Sequence, residues 1–322
     1  MTDPLTAPPA PELLARARLL VAPTVGEPVV RELERITGRP AVRASEGAPD
    51  GPFIHVGASL PDVLRGRHLV WFHSVNAGTD ALLGSGTWPR NTLLTRTVGR
   101  MGERIAQYVL AWVLAECQSV PEFAAQHARA EWRRIPSELA AGQQALVYGT
   151  GRIGSAVAGL LRGCGIRTVG VARSPRAVPP PGFDRVIGAD EAGREAEALG
   201  AARWVVAALP LTGATAGHFG AARFAAVRGA TFVNVGRGAT VDMEALGAAL
   251  RAGTVRRAVL DVLPEEPAAP DDTIWQLPRT VITSHSAGIT ADEDVVRDFE
   301  ACWQDLRAGR VPALAVDVGR GY

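Results

Sequence analysis

Six residues between two apolar runs, Gly149-Thr150-Gly151-Arg152-Ile153-Gly154, narrow the folds open to this chain more than any other stretch. They follow a strand pattern at Ala145–Tyr148. They precede a helical pattern at Ser155–Arg162 and a second strand pattern at Thr168–Val171. Strand, GxGxxG, helix and strand within about 30 residues make one βαβ unit. In such a unit the first glycine permits the tight turn and the second lets a pyrophosphate approach the backbone. The third allows helix and sheet to pack closely. The helix N-terminus favours the anion. Gly149, Gly151, Arg152, Ile153 and Gly154 are therefore expected to bind a dinucleotide.

The same alternation extends along the chain. Trp204–Ala207, Thr231–Val235, Ala258–Asp261 and Val281–Thr283 read as further strands, with helical patterns between them such as Met243–Arg251. Six strands with helical crossovers predict a doubly wound parallel sheet. The first third repeats the pattern on a smaller scale. Leu19–Ala22, Phe53–Val56 and Leu69–Phe72 read as strands, and Pro28–Ile36 and Pro61–Leu64 as helices. Between these regions Ile105, Val109, Trp112 and Val113 share one helical face, broadened by Leu110 and Leu114. A helix so apolar belongs in a core or a subunit contact. A last helix, Ala291–Ala308, is expected to return to the first domain. The Pro- and Gly-rich stretches 1–11, 47–52 and 178–182 read as a frayed tail and two loops.

Composition removes several function classes. The 322 residues suit about two domains, and 47% hydrophobic with 21% charged residues is the balance of a soluble globular chain. A net charge of +1 argues against a nucleic-acid or membrane surface as partner. The first residues lack the basic and apolar regions of a signal peptide. Cys117, Cys164 and Cys302 form no CxxC pair, which fits a reducing cytoplasm and no metal site. All 34 basic residues are arginine. That absence of lysine excludes Schiff-base chemistry and a Walker-type phosphate loop.

About 20 residues past the glycines an acidic side chain would bind a ribose 2′-hydroxyl. This chain has Arg173-Ser174-Pro175-Arg176 instead. Arg173, Ser174 and Arg176 suit a 2′-phosphate, so NADP(H) is the expected cofactor and NAD(H) the alternative.

Three later segments each place chemistry just past a strand: Asn234-Val235-Gly236-Arg237-Gly238, Asp261-Val262-Leu263-Pro264-Glu265-Glu266-Pro267 and Ser284-His285-Ser286-Ala287-Gly288. In a parallel doubly wound sheet these positions share the edge where ligands bind. Taken with Leu209-Pro210-Leu211-Thr212 and Thr215, the sequence resembles the D-2-hydroxyacid dehydrogenase family over most of its length. Met101-Gly102-Glu103, the Arg-Ser-Pro-Arg loop and the Asp317…Arg320-Gly321-Tyr322 ending resemble its glyoxylate/hydroxypyruvate reductase branch.

The resemblance implies a Rossmann domain at 98–288, with a smaller flavodoxin-like α/β substrate domain built from 1–97 and 289–322, and substrate held in the cleft of the two. It implies a cytoplasmic homodimer that reduces a small 2-oxo acid to the D-2-hydroxy acid. His285 would donate the proton. Glu266 would hold the ring and favour the imidazolium, and Arg237 would grip the substrate carboxylate and oxo group. Asp261 would anchor the nicotinamide carboxamide or else cap a turn. Leu209, Pro210, Thr215, Val235, Gly236 and Gly288 would complete the cofactor site. Val75, Asn76, Ala77 and Gly78 match the loop whose backbone N–H groups bind the substrate carboxylate. Asn76 and Ser286 depart from the residues usual at their positions. The alternatives are another 2-hydroxyacid dehydrogenase, such as a phosphoglycerate type, or a dinucleotide-sensing corepressor-like protein. His68 and His73 lack metal-ligand company, no GxSxG accompanies Ser284, and Trp88, Trp132 and Trp275 read as packing residues.

Overall fold

The computed structural model describes residues 8–44, 50–65, 68–174 and 178–319. These residues form two compact units, one drawn from Met1–Met101 and Thr290–Tyr322, the other from Gly102–Ile289.

In the first unit, α1 (Pro11–Arg16) precedes β1 (Arg18–Val21), α2 (Glu27–Thr37), β2 (Ala41–Arg43), β3 (Phe53–Gly57), β4 (Leu69–Ser74), the short α3 (Asp80–Gly84) and β5 (Leu93–Arg96). Pro11 thus opens a helix rather than ending a tail, because proline at a helix start gives up no intrahelical bond. The five parallel strands run in the order β2-β1-β3-β4-β5, the flavodoxin-like order. Every residue of β3 and β4 is buried, His55 and His73 included, so both appear in the sequence as mainly apolar stretches rather than alternations. The edge strands β2 and β5 escape the pattern reading: β2 has three half-buried residues and β5 only four residues.

The second unit begins along α4 (Met101–Cys117), followed by α5 (Val120–Ala128). Its βα units are β6 (Gln144–Tyr148), α6 (Arg152–Gly163), β7 (Arg167–Ala172), β8 (Arg185–Gly188), α7 (Ala192–Ala201), β9 (Trp204–Ala207), α8 (Ala221–Ala226), β10 (Ala230–Asn234), α9 (Met243–Ala252), β11 (Val255–Leu260) and β12 (Thr280–Ile282). The sheet has seven strands in the order β12-β11-β10-β9-β6-β7-β8, all parallel. Counted from β6, this is the Rossmann order with one strand added at the edge. The expectation of six strands is corrected by β8, whose four residues follow the Pro/Gly stretch and show only Val186 and Ile187 as an apolar signal. Ile105, Val109 and Val113 of α4 are buried, whereas Leu114 is 40% exposed. The Glu116 carboxylate pins the end of that helix, accepting from Thr231 Oγ1 at 2.7 Å and Trp204 Nε1 at 2.9 Å.

The final helix, α10 (Asp292–Arg307), belongs to the first unit. There Phe299 stacks on Trp71 with ring centroids 4.8 Å apart, and Cys302, Trp303 and Leu306 join the core around Leu19 and Leu33. His55 and His73 are wholly buried in the same unit. Thr95 and Thr97 hydroxyls lie 2.8 and 3.1 Å from the two ring nitrogens of His73. Both nitrogens of His55 lack a partner among the described residues.

Burial lowers these imidazoles to about 4 at His55 and about 3 at His73. The unfolded chain, with histidine near 6.5, therefore takes up these protons first. Stability from the neutral rings is complete above pH ~6.5 and lost as pH falls toward the folded values. Thermal melts of His55→Leu at pH 7.5 and pH 5 should show a smaller loss of Tm on acidification than the wild type. An identical loss would contradict this account.

Candidate active site

The phosphate turn is shaped by contacts that only glycine tolerates. Gly149 has φ +94°, and a Cβ there would sit 2.6 Å from the Ala208 carbonyl. A Cβ on Gly154 would collide with the Gly149 carbonyl. Gly151 is different: nothing lies within 4 Å of where its Cβ would be. Its small size therefore serves the space outside the fold, as a backbone approached by a pyrophosphate requires. Gly151 is also the N-cap of the 12-residue α6, without a side-chain cap, so the N–H groups of Arg152 and Ile153 begin the helix. Arg173 and Ser174 follow β7 and are exposed. Arg176 lies outside the described residues. These features fit a dinucleotide.

After β9, the loop at Leu209–Pro210 is braced by Thr215, whose hydroxyl donates to the Pro210 carbonyl at 2.6 Å and accepts from Thr212 N–H at 2.8 Å. A Cβ on Gly236 would lie 2.6 Å from the Leu209 carbonyl, so the turn after β10 packs on this loop. Asn234, wholly buried at the end of β10, braces that turn. Its Oδ1 accepts from Gly236 N–H at 3.0 Å and its Nδ2 donates to the Arg237 carbonyl at 3.1 Å. Thr240 Oγ1 donates to the same carbonyl at 2.6 Å. Val235 is buried, whereas the Arg237 residue is only part-buried. A Cβ on Gly238 would strike the backbone of Leu263 and Pro264, which seats the Arg237 turn on the loop after β11.

That loop carries Glu266. Its Oε1 accepts from Leu263 N–H at 2.8 Å, and its Oε2 lies 2.7 Å from His285 Nδ1. An ionised carboxylate only accepts, so Nδ1 carries the proton. His285 Nε2 has no partner among the described residues, and the side chain is 51% exposed. The imidazole is thus oriented from one nitrogen and available at the other.

Asp261 organises the backbone on which His285 sits. It is 3% exposed. Its Oδ1 accepts from Thr283 Oγ1 at 2.6 Å, Ser286 N–H at 2.8 Å and Ala287 N–H at 3.0 Å. Its carbonyl accepts from His285 N–H at 2.6 Å. Ser284 and His285 both have φ near 55°, a left-handed conformation that non-glycine residues adopt only when their surroundings enforce it. Asp261 Oδ2 has no partner among the described residues. Gly288 follows this turn, part-exposed.

Contacts therefore link the Arg237 turn, the Glu266 loop and His285 along one edge of the second unit. In the first unit, Val75 N–H donates to Gly57 and Asn76 N–H to Ser74 Oγ, leaving the N–H groups of Ala77 and Gly78 without a partner among the described residues. Asn234, Thr283 and Tyr108 were not singled out from the sequence. Only Asn234, a polar residue ending an apolar strand, offered a local signal. Among the described residues, no group of three or more His, Cys, Asp or Glu is arranged to hold a metal, and no helix is long and apolar enough to cross a membrane.

Fold and site together define an NAD(P)-dependent oxidoreductase. The family model for the D-isomer specific 2-hydroxyacid dehydrogenase NAD binding domain matches residues 110–287. An uncharacterised protein of Streptomyces coelicolor is 59% identical over 280 residues, 87% of this chain and 99% of its own. A glyoxylate/hydroxypyruvate reductase A of Serratia proteamaculans is 31% identical over 265 residues, 80% of this chain and 83% of its own. The crystal structure of a D-isomer specific 2-hydroxyacid dehydrogenase from Xanthobacter autotrophicus, in complex with NADPH and MES, superposes with a TM-score of 0.84 at 28% identity. It covers 95% of this chain and all of that one. The chain belongs to the D-isomer specific 2-hydroxyacid dehydrogenase family, with its likeness to the glyoxylate/hydroxypyruvate reductase branch.

The glycines make separable predictions. Gly151→Ala should keep the wild-type Tm and weaken dinucleotide binding roughly 10-fold or more, read by nicotinamide fluorescence titration. Gly154→Ala should lower Tm by several degrees. Equal effects of both variants on Tm would refute the division of roles.

Proposed function

We propose that this protein reduces a small 2-oxo acid of the glyoxylate or hydroxypyruvate type to the D-2-hydroxy acid, preferring NADPH to NADH. The observation that carries the reading is the 2.7 Å contact of Glu266 with His285 Nδ1, which leaves Nε2 available. When bound, the reduced dinucleotide supplies the hydride for the oxo carbon. The glycine turn and the start of α6 hold its pyrophosphate. Leu209, Pro210, Thr215, Val235, Gly236 and Gly288 line its path, and Asp261 Oδ2 takes the carboxamide N–H. Arg173, Ser174 and Arg176 neutralise a 2′-phosphate.

Arg237 binds the substrate carboxylate and oxo group through its fork of donors, and so stabilises the negative charge that grows on the oxygen. His285, as imidazolium, delivers a proton from Nε2 to that oxygen. Glu266 keeps the ring in place while the charge is lost. Ala77 and Gly78, with Val75 and Asn76 shaping their loop, offer N–H groups to the carboxylate.

The reading extends to a homodimer, supported by the exposed apolar side chains Val120, Phe123, Leu139 and Trp132, the last 98% exposed rather than packed as its sequence suggested, and to a cytoplasmic setting, supported by three free cysteines.

Absorbance of NADPH should fall when the enzyme meets glyoxylate or hydroxypyruvate, and no turnover with any 2-oxo acid would overturn the reading. His285→Ala should lower kcat about 10² to 10⁴-fold. Arg173→Ala should lower kcat/KM for NADPH roughly 10-fold while sparing NADH; equal losses with both would remove the 2′-phosphate argument.

A further inference from the structure

Tyr108 lies on α4, 175 residues before Thr283, yet its hydroxyl is 2.7 Å from Thr283 Oγ1. Thr283 Oγ1 is in turn 2.6 Å from Asp261 Oδ1. The direction of this chain follows from the chemistry of its end. A carboxylate has no proton to give, so Thr283 donates to Asp261. That uses the one hydroxyl hydrogen of Thr283, so Tyr108 must donate to Thr283. Burial pushes the Tyr108 phenol up to about 12, so it stays a donor throughout the working range.

We infer that Tyr108 and Thr283 are positioning residues for His285. They act through Asp261, fixing the carboxylate that holds the turn from Ser284 to Ala287 in its left-handed course. The same carboxylate oxygen takes the Ser286 and Ala287 N–H groups, and the Asp261 carbonyl takes that of His285. A turn with two successive non-glycine residues at positive φ has no intrinsic preference for its shape. Its shape is imposed by these bonds together with that of the Ser286 hydroxyl to the Ser284 carbonyl, 3.2 Å, and Thr283 is the one side-chain donor to the Asp261 carboxylate. Tyr108 anchors that donor to a helix rather than to the loop itself. Binding through Oδ1 leaves Oδ2 open, so the tether does not compete with the cofactor contact assigned to Asp261.

This inference rests on the proposed role of His285, and the test separates the two. Thr283→Val, Thr283→Ser and Tyr108→Phe are compared with the wild type by amide hydrogen exchange of the ligand-free proteins and by steady-state kinetics with NADPH and glyoxylate. In Thr283→Val, exchange across residues 283–288 should accelerate at least about 10-fold while that of β6 and α6 stays unchanged. Its kcat should fall roughly 10- to 100-fold, with KM for the oxo acid altered much less. Thr283→Ser should restore both readings. Tyr108→Phe, which keeps the ring and loses only the donor, should give the same pattern with a kcat loss of about 3- to 10-fold. In a His285→Ala background neither substitution should cost more than about 2-fold, because the group they position is gone. Undiminished losses in that background would mean general structural support and would overturn the inference. So would unchanged exchange and kcat in both variants. If the wild type reduces no 2-oxo acid, the function fails on its own, and the exchange measurements alone decide whether the tether exists.

Discussion

The buried carboxylate of Asp261 is the interaction on which the site turns. A lone carboxylate with 3% exposure carries a large desolvation cost. It persists here because one oxygen collects a hydroxyl and two amide donors. Those bonds do more than satisfy a charge. They bend the chain after β12 through two left-handed residues and so present His285 at the sheet edge, where Glu266 receives it. Remove the acceptor and the turn would lose three of the bonds that keep Ser284 and His285 in that conformation.

Around this point the parallel sheet performs the larger assembly. Each strand of the second unit runs the same way, so the segments after β6, β7, β9, β10, β11 and β12 all emerge at one edge. Glycine then sets how closely they meet. Gly236 lets the Arg237 turn press on Leu209, and Gly238 lets it press on Leu263 and Pro264. Arginine, carboxylate and imidazole reach one neighbourhood from segments 29 and 19 residues apart without any of them being adjacent in sequence.

Much of this was legible in the sequence, for physical reasons. Buried parallel strands such as β3, β4 and β9 are mainly apolar stretches, and the glycine turn has a spacing that few other folds require. Strands β2, β5 and β8 were not legible, because each shows only two apolar residues in a row and also carries an arginine, too short a run to mark a strand. The carboxyl-edge residues Arg237, Glu266 and His285 stood out because each follows a strand and the family resemblance offers each a role in one reaction. The supports behind them did not. Tyr108 finds Thr283 across 175 residues, and no local pattern announces a hydroxyl pair formed by tertiary packing. Likewise Ser284 and His285 adopt a conformation that neither residue type prefers. The division of labour within Asp261, one oxygen for the turn and one left over, is a property of three-dimensional geometry alone.

The central claim is that Arg237 grips a 2-oxo acid while His285 faces its reacting oxygen. A crystal structure of the protein with NADPH and oxalate, a dianion shaped like the substrate, tests it most directly. The account predicts an oxalate carboxylate in the Arg237 fork and an oxalate oxygen within about 3 Å of His285 Nε2, the reach of a hydrogen bond. Oxalate bound away from both groups, or His285 turned from Glu266 with Nε2 facing solvent in the filled site, would contradict it.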